Sequence, residues 1–248
     1  MGSLSTVEKA IDLLFHLHAE ASPRGVTAVG KALDLPKASA HRLMSTLTRR
    51  GLLERDERGQ YRPGIGLVAL GYGVLQKDPL VTAARTVLEA EAERLGETVF
   101  LTAARAGAVV VLDKAEGTGF LRAAPQIGST VPLHATAVGK LYLTHAPESV
   151  ALGEEPLTAF TPATTTSPAI LSAELERVRQ RGYAENREEW IPGLSAIAAP
   201  VFVADRLVAA LALATSSPRF EVLQGGAVAS RIVEAAQRIV DRMEGRTT

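Results

Sequence analysis

The chain has no cysteine, which excludes a disulfide framework, a thiolate metal site and a cysteine nucleophile. It has no apolar run of the roughly 20 residues a membrane helix requires. No charged-then-apolar leader precedes the first helical pattern. A cytoplasmic protein without a membrane partner is therefore expected. Metal-like spacing is missing as well: His16 and His18 are two apart on a helix and point to different faces, and His41 and His145 stand alone. No metal and no cofactor are expected.

Net charge is also absent, with 27 Lys+Arg against 27 Asp+Glu. The cancellation is between halves. Residues 1–76 carry ten basic and seven acidic side chains, and residues 77–248 carry 17 and 20. The basic excess is densest between Lys37 and Arg62, where Lys37, Arg42, Arg49, Arg50, Arg55, Arg58 and Arg62 face only Glu54, Asp56 and Glu57. A local excess on one element matters more to a polyanion than the global sum. So modest a charge also means that one copy grips weakly, so a homodimer or tetramer is expected.

What is present is concentrated between Gly25 and Pro63. Val7, Ile11, Leu14 and Phe15 repeat at helical spacing in a first helix starting near Ser3 or Ser5, which Ser22-Pro23-Arg24-Gly25 breaks. Thr27 reads as the N-cap of a short helix ending at Asp34. Pro36 reads as the first position of another, with Ala40, Leu43, Met44 and Leu47 inward and Lys37, Ala38, Ser39, His41, Arg42, Ser45 and Arg49 outward. Gly51 ends it. Two short strands, Leu52 to Arg55 and Gln60 to Arg62, then flank a turn at Asp56 to Gly59. Helix, turn, helix and basic hairpin in that order form a winged helix-turn-helix, which lays one helix in the DNA major groove.

On this reading Lys37, Ser39, His41 and Arg42 approach base edges from the first turns of the recognition helix. Arg42 is the first choice for a bidentate contact to guanine, worth roughly 1–3 kcal/mol of discrimination. Lys37 and Ser39 could read bases or grip phosphate. Arg58 and Arg62 on the wing, and Thr27, are phosphate candidates. The partner is a double-stranded DNA operator.

Residues 64–77 read as a linker helix with Leu67, Val68, Leu70 and Leu75 on one side and three glycines that weaken it alone. The domain division is then 1–63 for the DNA reader, 64–78 for the linker and 79–248 for a second domain. That domain alternates helix and strand. Val81 to Gly96, Ala135 to His145, Ser172 to Arg181 and Val222 to Met243 read as helices. Thr98 to Arg105 and Ala108 to Lys114 read as a hairpin about Ala106-Gly107. Phe120 to Ala124, Ile197 to Val203 and Leu207 to Thr215 read as further strands, the last two joined at Asp205-Arg206. The fold class is α+β.

Three segments, LPKASAHRLMSTLTRRGLLERD, PLHATAVGKLYL at 132–143 and RGYAENREEWIPGLSAIAAPVF at 181–202, give the chain a resemblance to IclR-type bacterial transcriptional regulators over essentially its full length. The resemblance implies a winged helix-turn-helix, a linker helix and a GAF-like domain for effector binding and oligomerisation, in dimers that often pair into tetramers. It implies a regulator of a catabolic operon for small organic or aromatic acids. The effector would lie against Ala137 and Val138, where a helix N-terminus beside Thr136 offers backbone N–H groups to a carboxylate, across from the 186–196 loop and the end of the last strand.

The chain departs from the family pattern there. Asn186 stands where an aspartate is frequent, Ala196 where a cysteine is, and Ala214 and Ser216 where some relatives carry two serines. Each change lowers polarity or holds size down, so the expected pocket suits an aromatic or longer acyl acid better than a very small oxoacid. Trp190 either walls that pocket or covers its loop.

Two rival classes fit the residues less well. Ser195, His134 and Glu185 or Glu189 supply hydrolase residue types, but Gly193-Leu194-Ser195-Ala196-Ile197 lacks the second glycine of a nucleophile elbow. A winged-helix protein-interaction module conflicts with the charged Lys37/Ser39/Arg42 face, since interface cores are depleted of charge. The chain is expected not to be an enzyme.

Overall fold

The computed structural model describes residues 5–119, 126–153, 156–223 and 225–246, with backbone only at 75, 76, 225 and 226. The chain divides into two compact units, Met1–Lys77 and Asp78–Thr248. The strand expected at Phe120 to Ala124 lies outside the described residues, as does Ser3.

In the first unit, α1 (Thr6–Ala19) opens with a capping box: Ser5 accepts the Glu8 N–H and Glu8 accepts the Ser5 N–H. Its core face is Leu13 and Leu17, not the expected stripe. Val7 and Phe15 are both 68% exposed, because α1 carries two apolar stripes and only one faces the other helices.

Helix α2 (Val26–Ala32) starts one residue before Thr27, with Gly25 as its cap. Val26 packs on the core, and that packing overrides the capping preference of threonine. The chain leaves α2 through Asp34 at φ 50°, so Asp34 belongs to the turn rather than to the helix. Helix α3 (Lys37–Arg49) takes Pro36 as its cap residue rather than its first residue. Its buried face is Ala40, Met44 and Leu47. Gly30 lets α2 approach: a Cβ there would sit 3.0 Å from the Leu35 carbonyl oxygen and 3.6 Å from the Ala40 Cβ.

Strands β1 (Leu53–Arg55) and β2 (Tyr61–Pro63) pair antiparallel, with Glu54 opposite Arg62. The turn between them is tied by the Asp56 carboxylate accepting the Gln60 N–H (2.8 Å) and by Gly59 at φ 75°. Tyr61 also exchanges backbone bonds with Arg24, which fastens the wing to the chain entering α2. Helix α4 (Ile65–Lys77) leaves Ile65, Val68, Leu70, Tyr72 and Val74 exposed. A groove of about 730 Å³ runs between α1 and α4, lined by Ile11, Leu14, Phe15, Leu67 and Val68 among others. The Leu75 side chain lies outside the described residues.

The second unit starts with α5 (Pro79–Leu95), capped by Asp78 and ended by Gly96 in the left-handed region. Among the described residues its sheet has six antiparallel strands in the order β5-β4-β3-β8-β7-β6. These are β3 (Thr98–Arg105), β4 (Ala108–Ala115), β5 (Thr130–Val131), β6 (Ala184–Arg187), β7 (Leu194–Val203) and β8 (Arg206–Ser216). Helix α6 (Ala137–His145), a 3₁₀ turn at Pro147–Ser149 and α7 (Pro168–Arg181) lie between β5 and β6. Helices α8 (Ser217–Val222) and α9 (Gly225–Met243) close the chain. The closing helix expected from Val222 to Met243 begins at Gly225, a short helix not expected precedes it, and β6 replaces part of an expected loop.

Alternation along the strands divides the core. Val99, Leu101, Ile197, Leu211 and Leu213 pack against α5 and α9. Phe100, Ala198, Ala210, Ala212 and Ala214 face α6. Side chains are large on one face and mostly alanine on the other, so the α6 side is where the molecule has room for a hollow.

Candidate functional site

Lys37, His41 and Arg42 are exposed on the first two turns of α3, and Ser39 is half-buried beside them. The Lys37 ammonium and the Arg42 guanidinium make no ion pair or hydrogen bond among the described residues. No acidic residue lies in the first turn of α3, so the helix dipole and both cations favour an anion there. Arg58, at the tip of the wing turn, is exposed and equally free. Arg62 differs. It pairs with Glu54 across the hairpin at 2.9 Å, and that bond, with a second from the Ile65 N–H, holds the Glu54 carboxyl below its ordinary range. Arg55 is also committed, stacked 5.5 Å over the Tyr61 ring. Thr27 is exposed in the first turn of α2.

In the second unit, Asn186, Ala196 and Ala214 lie in one transverse row of the sheet, paired β6 to β7 to β8. Above that row sits the N-terminus of α6. Thr136, expected inside the helix, is its N-cap. Its hydroxyl accepts the Gly139 N–H (3.1 Å) and donates to the Pro132 carbonyl (2.6 Å), so it is not a free donor. The Ala137 and Val138 N–H groups have no acceptor among the described residues. Asn186 donates its side-chain amide to the Ala135 carbonyl, tying β6 to the chain entering α6. Gly139 lets the chain entering α6 pass close to the helix, since a Cβ there would lie 2.2 Å from the Leu133 carbonyl oxygen.

These residues enclose a cavity of about 30 Å³. Its lining includes Thr136, Ala137, Val138, Asn186, Ala196 and Ala214 together with Phe100, Val131, Trp190, Leu194 and Ala212. Sequence reasoning missed Phe100, Val131 and Ala212, which come from strands far apart in the chain. Ser216 is not in the lining; its cross-strand partner Leu194 is. Trp190 walls the cavity rather than merely covering a loop.

Lys140 was also missed. It is 3% exposed and bonds Glu189 at 2.6 Å and the Glu185 carbonyl at 3.1 Å. The loop that carries Trp190 is thereby fastened to α6. Thr161 and Thr164 donate to the Glu188 and Glu189 carbonyls at 2.7 and 2.6 Å. Glu188 in turn accepts the Gly193 N–H, which with the Ser217 hydroxyl keeps its carboxyl below the usual range.

The hydrolase residue types are not linked. The Ser195 hydroxyl pairs with that of Ser217 at 2.9 Å, and His134 Nε2 donates to the Thr158 carbonyl at 2.9 Å. Among the described residues no group of His, Asp and Glu could hold a metal ion, and no helix is long and apolar enough to cross a membrane.

Residues 72–241 match the family model described as bacterial transcriptional regulator IclR C-terminal, and residues 6–57 match the IclR helix-turn-helix domain. The chain is 33% identical over 243 residues to the HTH-type transcriptional regulator BhcR of Paracoccus denitrificans, covering 96% of this chain and 87% of that protein. It is 32% identical to the regulator XynR of Escherichia coli, covering 89% and 90%. Among solved structures, Thermotoga maritima IclR superposes with a TM-score of 0.79 at 27% identity, covering 96% of this chain and 98% of that one. An IclR homolog from Microbacterium hydrocarbonoxydans, crystallised with 4-hydroxybenzoate, has the same fold, with a TM-score of 0.82 at 22% identity over 97% and 100% of the two chains.

Proposed function

The chain belongs to the IclR family of bacterial transcriptional regulators and is an effector-responsive, DNA-binding regulator; from that premise we propose how its parts divide the work. Residues 1–63 read operator DNA, residues 64–78 form the linker helix, and residues 79–248 bind an organic acid and help assemble the oligomer. The observation that carries the DNA half is the pair of unpartnered cations on α3, Lys37 and Arg42, with Arg58 free on the wing. Arg42 reads a guanine edge; Lys37, Ser39, His41, Arg58 and Thr27 add base or phosphate contacts. Arg62, held by Glu54, contributes less than its place on the wing suggests. Such a reader works beside the bacterial chromosome, in the cytoplasm.

The effector reading rests on α6. Two unsatisfied N–H groups at a helix N-terminus, in an apolar surround, suit a carboxylate without an arginine. The acid's carbon body would rest on Ala196, Ala212 and Ala214. The 4-hydroxybenzoate bound by a protein of the same fold makes one-ring acids the first to try. Two copies would join through the apolar faces of α1 and α4. Effector binding that favours one arrangement of the copies changes the spacing of their reading heads.

The test is a mobility shift on the DNA immediately upstream of the coding region, followed where needed by genome-wide binding selection. A salt-sensitive complex that Arg42→Ala weakens by roughly 1–3 kcal/mol at its cognate site is expected. Equal binding by the variant at every sequence would remove Arg42 from readout, and no bound sequence in the selection would overturn the assignment of residues 1–63.

A further inference from the structure

The cavity at α6 is too small for the ligands its chemistry suits. A volume of about 30 Å³ falls far short of the engineered cavities, on the order of 150 Å³, that take up a benzene ring. A second, open cleft of about 470 Å³ adjoins it, lined by Gly107, Pro132, His134, Phe160 and neighbours. Two side chains, Val131 and Trp190, line both. Val131 belongs to β5 and is paired with Val109 of β4, so its position is set by the sheet. Trp190 is on a loop, half-buried, and its indole N–H makes no hydrogen bond among the described residues.

The loop carrying Trp190 is fastened by Thr161 and Thr164 to the Glu188 and Glu189 carbonyls, by Lys140 to the Glu189 carboxylate and by the Gly193 N–H to the Glu188 carboxylate. The loop is therefore not a lid. The freedom that remains is rotation of the indole about its own side-chain bonds.

Resting on the effector reading above, we propose that Trp190 is the partition of a two-chamber site and the residue that sets the size of acid this protein answers to. A one-ring acid reaches the Ala137 and Val138 N–H groups only with the indole swung toward the outer cleft, where the ring of the ligand and the indole share the joined volume. A two- or three-carbon oxoacid demands a smaller displacement. The partition thus levies a conformational cost that grows with ligand width.

Because Trp190 is the chain's only tryptophan, its emission reports the partition without background. Calorimetry and fluorescence titration would be run with pyruvate, benzoate and 4-hydroxybenzoate on the full chain, on Trp190→Ala and on Trp190→Phe, with thermal melting to confirm that each variant folds. Wild-type emission should shift on binding benzoate and much less on binding pyruvate. With an open rotamer populated to about a tenth, Trp190→Ala should raise the benzoate-to-pyruvate affinity ratio roughly tenfold, and Trp190→Phe by less. Benzoate binding with unchanged emission and an unchanged ratio in both variants would overturn the partition while leaving the acid reading intact. Heat from none of the acids, in any of the three proteins, would overturn the acid reading and the partition with it.

Discussion

His145 ends α6 with its Nε2 buried and without a partner among the described residues, its ring edge-on to Phe202 at 5.2 Å. Burial first, and the nearby Arg179 second, hold its pKa below the ordinary 6.5. The folded protein therefore keeps this ring neutral where the unfolded chain would protonate it. Its contribution is present in full above pH 6.5 and is lost as pH falls from there toward the folded pKa. His145→Gln should flatten the decline of melting temperature below pH 6.5, measured by thermal denaturation across a pH series; an identical profile in the variant would refute it. The lowered carboxyls of Glu8, Glu54 and Glu188 work in a separate window. Their contributions hold above pH 4.5 and fade as pH drops through their folded pKa values, so the two effects separate by pH.

Between elements, the decisive contact is buried and charged. Glu91 of α5 is 1% exposed and bonds Arg231 and Arg238 of α9 at 2.8 and 2.6 Å. The arginines are partly exposed and can turn to solvent, but the carboxylate cannot. Removing both arginines should cost about 3–5 kcal/mol by stranding a buried charge, whereas Glu91→Ala should cost less. Denaturant melts of the two variants check the order, and a larger loss from Glu91→Ala would refute the account. That pairing spans 140 residues, and so was not legible in the chain. A separation of 49 residues hid the Lys140–Glu189 pair in the same way. What could be read were elements whose signal is local: α3 from its period and the wing from Gly51 and Asp56 to Gly59. The Asn186, Ala196 and Ala214 row came from the resemblance, and the rest of the cavity wall from strands that only folding brings together. Strand β6 went unread because four residues ending in Asn186-Arg187 carry little apolar alternation. The stripe expected to be buried on α1 faces outward because periodicity marks an apolar face without saying what covers it.

For the whole molecule, the exposed stripes of α1 and α4 are the feature that a lone copy leaves unsatisfied. Phe15→Glu combined with Val68→Glu should lower the assembled mass seen by analytical ultracentrifugation and weaken operator binding, while leaving acid binding by the second unit unchanged. An unchanged mass would show that the copies meet elsewhere. The Lys140–Glu189 pair has a consequence of another kind. If the exposed cations on α3 and the wing hold DNA as proposed, that hold weakens as salt rises, whereas a pair this deep is screened far less by mobile ions. On the proposed reading, an osmotic upshift that strips the protein from its operator would leave the loop carrying Trp190 fastened to α6, so the two inputs could be varied separately.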